Sequence, residues 1–225
     1  YPMRQHGFAR RRMFALAERG DDRVSFTLAA DDETRAVYPF DFVLRVTFAI
    51  AGATLSVAVT VENPDPVRAL PASIGFHPAF AWPLPYGAAR AAHRIVFEQQ
   101  EGEAIRRIVT GEGTIAPDPR PSPLDGRVLH LADDLFTADA LIWDAVRSQS
   151  VLYGADSGPQ LRIDFPDTPM LGIWTQPGAH FVCIEPWHGI ADPQGYTGEF
   201  ADKPGVFTVA PGASRTVGMA VTLIG

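Results

Sequence analysis

Several common features are scarce in this chain of 225 residues. Cys183 is the only cysteine, so no internal disulfide can form, which is typical of a reducing compartment. The chain has 19 Lys and Arg against 26 Asp and Glu, so it has no surplus of positive charge with which to neutralise phosphates. This excludes a nucleic-acid backbone as partner. No apolar run approaches the ~18 residues of a membrane-spanning helix, and no basic and apolar leader opens the sequence. We therefore expect a cytoplasmic protein with neither membrane nor nucleic-acid partners.

Sequence motifs for nucleotides, metals and serine nucleophiles are missing as well. There is no Gly-x-Ser-x-Gly, Walker loop, Gly-x-Gly-x-x-Gly or Cys-x-x-Cys, and the six histidines show neither His-x-His nor His-x-x-x-His spacing. We accordingly expect no cofactor and no metal. Cys183 alternates with apolar neighbours and is interpreted as a small core residue rather than a nucleophile.

Period-two alternation of apolar residues dominates the chain, punctuated by 20 Gly and 20 Pro. Val24–Leu28 and Leu55–Val61 alternate in this way, and the run from Phe42 to Ala51-Gly52 predicts a hairpin with the Leu55 strand. The further predicted strands are Ile95–Glu98, Val128–Leu131, Ala140–Asp144, Ser150–Tyr153, Gln160–Phe165, Met170–Thr175, Phe181–Glu185, Val206–Ala210 and Thr216–Leu223.

Helical periodicity is nearly absent. Only Asp31–Val37 suits a short helix, capped by Asp31 or Asp32 and ended by Pro39. The proline-rich segment Gly111–Gly126 is expected to be an exposed loop or a lid. The sequence predicts an all-β protein of two packed, mostly antiparallel sheets with few short helices, in a single domain spanning residues 1–225.

Three segments place an ionisable group among Gly, Pro and aromatic residues: His6–Arg10, Gly75–Phe80 and Glu185–Gly189. Glu185 is expected at the end of a strand beside Trp187, where partial burial would raise its pKa and make it a better base near neutrality. His77, held before Pro78, suits proton delivery. A structural ion pair for Glu185, and core positions for His77 and His6, remain as alternatives.

Taken together, these segments resemble the aldose 1-epimerases (mutarotases) of the galactose mutarotase-like superfamily, and in particular a shorter bacterial branch. The residues that carry the resemblance are Tyr1–Arg10, Tyr38–Phe40, Val61–Asn63, Ser73–Phe80, Leu135-Phe136 with Asp139, Gly172–Trp174, Cys183–Asp192, Lys203–Gly205 and Pro211-Gly212.

The resemblance implies a β-supersandwich that binds a free sugar. It implies that Glu185 is the general base at the anomeric hydroxyl, that His77 is the general acid at the ring oxygen, and that His6 and Asp139 hydrogen-bond the sugar. Trp174 and Trp187 are candidate walls for the pyranose, and two proton transfers need no metal. We expect the carboxylate and the imidazole to face each other across a sugar-sized gap.

One departure from the family and the choice of substrate leave alternatives open. Family members carry an N-terminal segment before the position of Tyr1, with a substrate-binding arginine that nothing here matches. The chain is therefore expected to lack an N-terminal segment of the family fold, either as a fragment of a longer product with an exposed sheet edge or as a protein without part of the cleft. Arg10, followed by Arg11 and Arg12, could bind the phosphate of a hexose 6-phosphate or could belong to a solvated edge. A non-catalytic carbohydrate-binding module is the alternative from another class. A monomer or a homodimer is expected.

Overall fold

The computed structural model describes Tyr1 and residues 3–225, so Pro2 of the N-terminal motif lies outside the described residues. Strands predominate, as the alternation predicts. They are β1 (Ala15–Arg19), β2 (Arg23–Ala29), β3 (Val43–Ala51), β4 (Thr54–Glu62), β5 (Leu70–Ala72), β6 (Ile74–Gly75), β7 (Ala79–Ala81), β8 (Arg94–Phe97), β9 (Ala104–Ile105), β10 (Arg120–Pro121), β11 (Val128–His130), β12 (Leu141–Trp143), β13 (Ser150–Gly154), β14 (Gln160–Asp164), β15 (Met170–Trp174), β16 (Phe181–His188), β17 (Phe207–Val209) and β18 (Ser214–Ile224).

Helices are few and short. Helix α1 (Asp32–Arg35) begins after Asp31, whose carboxylate accepts a hydrogen bond from the Thr34 backbone N–H at 2.8 Å, which confirms the predicted capping residue. The four 3-10 helices of the described residues are Ala9–Arg11, Arg90–Ala92, Asp133–Phe136 and Phe200–Asp202. Every helix described here is too short and too polar to cross a membrane.

The larger sheet has nine antiparallel strands in the order β1-β2-β3-β4-β18-β14-β13-β8-β11. The predicted hairpin is confirmed: β3 and β4 pair from Val43↔Glu62 to Ala51↔Thr54, and Gly52 takes a positive φ of 57° in the two-residue turn. At one edge, β1 pairs with β2, and all five β1 residues are exposed.

The smaller sheet has the order β12-β15-β16-β6, and β7 also pairs with β16. Side-chain alternation divides its residues between two faces. Leu171, Ile173, Val182 and Ile184 join the main core, together with residues of the nine-stranded sheet such as Ile163. The expected architecture of two sheets around one core is therefore confirmed.

The opposite face of the smaller sheet, which we call the outer face, carries the candidate site. Ile142 and Met170 on this face form a second apolar cluster with Ile115 and Ile190, against which Trp174 and Trp187 pack. The Ile115 backbone also bridges to Pro193. The segment Gly111–Gly126 is thus anchored to the outer face through Ile115, while much of it is exposed.

Candidate active site

His77 and Glu185 meet on the outer face although 108 positions separate them in the sequence. The His77 Nε2 atom lies 3.4 Å from Glu185 Oε2, and the side chains are 46% and 4% exposed respectively. Strand pairing creates this contact, because β16 pairs with β6 on one side of His77 in the sequence and with β7 on the other. His77 is therefore not a core histidine, and its exposed ring borders the solvent.

Glu185 lies inside a strand rather than at its end, which corrects the sequence-based expectation. Strand β16 continues to His188 because Trp187 still pairs with Met170 of β15 and with Gly75 of β6. Burial raises the pKa of Glu185 to about 8, the Trp187 side chain opposes this through a hydrogen bond, and the charge of Asp139 adds to the rise. The predicted upward shift is confirmed, and its main cause is desolvation of the carboxylate.

The His77 imidazole responds in the opposite sense. Partial burial lowers its pKa below 6.5, a hydrogen bond to its own backbone opposes this, and the charge of Arg10 lowers it further. Around neutral pH the pair therefore holds one proton, which resides on Glu185. The expectation of a sugar-sized gap between the two groups is wrong, because the imidazole and the carboxylate lie side by side.

Two glycines set the position of Trp187 beside this pair. A Cβ atom on Gly172 would lie 2.4 Å from Trp187 Cη2, and one on Gly75 would lie 2.8 Å from Trp187 Cδ1. The indole consequently lies against both glycine backbones, in space that a side chain at either glycine position would occupy. The half-buried ring forms an apolar wall next to Glu185.

Aromatic and imidazole rings continue this wall around His77. Trp174 stands edge-on to His77 with ring centroids 6.3 Å apart, and Phe181 packs against Trp174 at 5.8 Å. The His6 ring lies 6.0 Å from that of His77, in a turn where His6 takes a positive φ of 64°. Burial lowers the pKa of His6, as do the charges of Arg10 and His77. A polar N-terminal turn is thus brought to the catalytic candidates.

Asp139 reaches the site from a strained turn just before β12. It has a positive φ of 66°, and its Oδ1 accepts the Ala140 N–H at 2.7 Å. The Arg107 guanidinium fastens this turn by donating to the carbonyls of Asp139, Ala140 and Leu135 at 2.8, 3.3 and 3.0 Å. Burial lowers the pKa of Arg107, while the Asp139 charge opposes this. Arg107 therefore defines where the Asp139 carboxylate stands.

The three consecutive arginines have different surroundings. Arg12 pairs with Asp31 and Glu33, so it belongs to the fold rather than to the site. Arg10 is exposed, yet its charge acts on both His6 and His77. Arg10 is therefore near enough to the pair for its charge to act there.

The sequence interpretation missed three contributors. Arg107 carried no local signal, since only the fold brings it to Asp139. Gly172, in the middle of a predicted strand, could have indicated close approach of another group. Cys183 lies on the outer face with Glu185, two residues along the same strand, and its side chain is buried there instead of joining the main core. The i, i+2 spacing could have shown this.

Known proteins resemble this chain in sequence and in fold. The Lactococcus lactis protein LacX is 32% identical over 212 residues, covering 93% of this chain and 71% of LacX. A galactose mutarotase-like protein from Lactobacillus casei superposes with a TM-score of 0.89 at 29% identity, covering all of this chain and 77% of that protein. A galactose mutarotase-related enzyme from Lactobacillus acidophilus gives the same TM-score at 28% identity, covering 100% and 75%.

The model of the aldose 1-epimerase family matches residues 1–202, which include the histidine turn, the His77 and Glu185 strands and the Asp139 turn. The sequence match therefore extends over every element that builds the outer-face site, and the likeness of the solved relatives extends over the whole chain. By both measures, this chain belongs to the aldose 1-epimerase family.

Proposed function

We propose that the protein interconverts the α and β anomers of a free hexose by opening and closing the pyranose ring. The observation that carries the proposal is the His77–Glu185 pair, with 3.4 Å between Nε2 and Oε2 and with the exposed His77 ring beside the buried carboxylate. Ring opening requires removal of a proton from O1 and donation of a proton to O5. Both oxygens are bonded to C1, so an acid and a base that lie side by side can each reach one of them.

The His77–Glu185 pair carries one proton, and this number does not change when the ring opens. Carboxylate Glu185 takes the O1 proton as the C1–O5 bond breaks, and imidazolium His77 protonates O5, leaving the open-chain aldehyde. Rotation about C1–C2 presents the other carbonyl face, and ring closure by O5 returns both protons in reverse roles. No proton is gained or lost from the pair over a full cycle, so neither metal nor redox chemistry is needed.

The pKa directions match one half of this cycle. Protonated Glu185 and neutral His77 form the state that follows ring opening, and the pKa directions favour the same state in the protein alone. Binding of the closed sugar then requires transfer of the proton from Glu185 to His77. A hydrogen bond from the sugar O1–H to the Glu185 carboxylate favours that transfer, because it stabilises the ionised form.

The surrounding groups supply the sugar contacts in this proposal. Trp187 and Trp174 offer apolar faces for the ring carbons, while His6 and Asp139 offer hydrogen-bonding groups for the hydroxyls. Their proximity to the pair supports this assignment. Trp187 and Asp139 both influence the pKa of Glu185, and the His6 ring contacts the His77 ring.

The test is proton NMR saturation transfer between the anomeric signals of glucose and galactose, with and without protein. Accelerated exchange that is lost in His77→Asn supports the proposal. Exchange at the buffer rate for every sugar, with measurable sugar binding, would instead indicate a carbohydrate-binding module.

A hexose 6-phosphate is the second candidate substrate, because the Arg10 charge acts on both histidines of the site. The same NMR assay with glucose 6-phosphate and galactose 6-phosphate tests it. A loss of at least about tenfold in kcat/KM for the phosphate esters alone in Arg10→Ala would support a phosphate contact. Equal effects on esters and free sugars would contradict it.

A further inference from the structure

Cys183 adds a third donor to the His77–Glu185 pair. It is two residues from Glu185 on the same strand face, and it pairs across the sheet with Trp174 on one side and Ala79 on the other. One ligand atom each from His77, Cys183 and Glu185 all lie within 4.8 Å of one another. The thiol takes no part in the proton transfers proposed above, so its presence beside them calls for separate explanation.

The spacing suits a tetrahedral zinc ion. Two ligand atoms about 2.05 Å from a tetrahedral Zn²⁺ stand about 3.4 Å apart, and a thiolate at about 2.3 Å stands only slightly further away. His77 Nε2 and Glu185 Oε2 already have this separation, at 3.4 Å. The thiolate needs a shift of roughly 1 Å, within the range of a side-chain adjustment.

The His77 ring presents the correct nitrogen. Its Nε2 atom is the nitrogen that lies 3.4 Å from Glu185 Oε2, so this atom is placed to share an ion with the carboxylate. The 46% exposure of the His77 side chain provides the route of entry from solvent.

We propose that His77, Cys183 and Glu185 form a zinc site whose occupation blocks the sugar-binding face. Imidazole nitrogen, thiolate sulfur and carboxylate oxygen are the three ligand types that Zn²⁺ takes in proteins, and a fourth position remains for water or a sugar hydroxyl. Binding displaces the thiol proton and the shared proton of the pair. Since Zn²⁺ occupies Nε2 and the carboxylate, it removes both the acid and the base.

Direct metal binding tests the site without reference to catalysis. Co²⁺ added to the full chain should give thiolate-to-metal charge-transfer absorption at one equivalent, and competition with a chelating dye should give the Zn²⁺ affinity. Cys183→Ala should abolish the absorption and weaken Zn²⁺ binding by at least about tenfold. A loss of that size is usual even when the mutated residue only hydrogen-bonds to a metal ligand. His77→Ala should weaken Zn²⁺ binding similarly.

His130→Ala is the matched control, because His130 is exposed on β11 of the other sheet. It should leave both the absorption and the affinity unchanged. Cys183→Ser serves if the alanine variant does not fold. Equal Zn²⁺ affinity in wild type and both cysteine variants, or absence of the thiolate absorption, would overturn the proposal.

Inhibition is the second readout, and it rests on the proposed function. Zn²⁺ should stop anomer exchange in wild type and EDTA should restore it, whereas Cys183→Ala should need at least about tenfold more Zn²⁺ for the same fractional inhibition. Full exchange with one equivalent of Zn²⁺ bound would overturn the assignment of the ligands. If no sugar is turned over at all, the proposed function fails, while the absorption experiment still decides the metal site.

Discussion

Replacing Glu185 by glutamine should change how the stability of the protein depends on pH. Burial raises the pKa of Glu185 from 4.5 to about 8. The folded state therefore binds this proton more tightly than the unfolded state does, and the resulting stability is present below pH 4.5 and lost as pH rises to about 8. Glutamine keeps the shape of the protonated acid but never ionises, so this component disappears in Glu185→Gln.

The magnitude follows from the size of the shift. One pKa unit corresponds to about 1.4 kcal/mol, so the full transition is worth about 5 kcal/mol and the part between pH 5 and pH 9 about 4 kcal/mol. Urea unfolding of wild type and Glu185→Gln at both pH values gives the two changes in unfolding free energy. Groups remote from position 185 cancel in the difference, so the variant should lose about 4 kcal/mol less than wild type on going to pH 9.

Glu101→Gln provides the control. Glu101 is also buried, but its carboxylate accepts hydrogen bonds from the Arg147 and Ser148 backbone N–H groups at 2.8 and 2.9 Å and from the Ser148 hydroxyl. The amide cannot accept all three, so this variant should be destabilised by about 1–3 kcal/mol at both pH values. A pH dependence of Glu185→Gln within about 1 kcal/mol of wild type would refute the reasoning about desolvation.

Three further predictions concern the site. The kcat/KM for anomer exchange should be highest at the pH where the His77–Glu185 pair holds one proton. It should fall below pH 6.5, where both groups become protonated, and again near pH 8, where Glu185 loses its proton. An alkaline fall near pH 6.5 would contradict the raised Glu185 pKa. Gly172→Ala should displace Trp187, and it should therefore lower the melting temperature and reduce kcat/KM at least about tenfold. In the control Gly102→Ala no atom lies within 4 Å of the new Cβ, so both quantities should stay unchanged. Arg107→Ala should raise KM more than it lowers kcat, because it releases the Asp139 turn, and Arg107→Lys should restore part of the KM. As a control, Arg106→Ala breaks an ion pair with Asp144 and should leave KM unchanged.

Much of the fold could be predicted because it depends on local alternation. The period-two patterns located β2, β3, β4 and nine of the later strands. Short strands such as β6 and β7 were missed, because two or three residues cannot display a period. They are held by pairing with β16 rather than by their own sequence.

The candidate site could be predicted in its residue types and not in its geometry. The apolar neighbours of Glu185 indicated a raised pKa, which the structure confirms. The 3.4 Å contact with His77 depends on the register between distant strands, and so does the close approach of Trp187 to Gly172. Cys183 was interpreted as a core residue because a buried position on the outer face has the same apolar sequence neighbours as a position in the main core.

The most direct test of the central claim compares turnover and binding in Glu185→Gln. Saturation-transfer NMR measures the rate of anomer exchange, and titration calorimetry of the same preparation measures sugar affinity. We expect exchange to fall to the buffer rate while affinity stays within about tenfold of wild type, because the amide keeps the shape of the acid but cannot take the O1 proton. Exchange close to the wild-type rate would contradict the account and remove Glu185 from the chemistry.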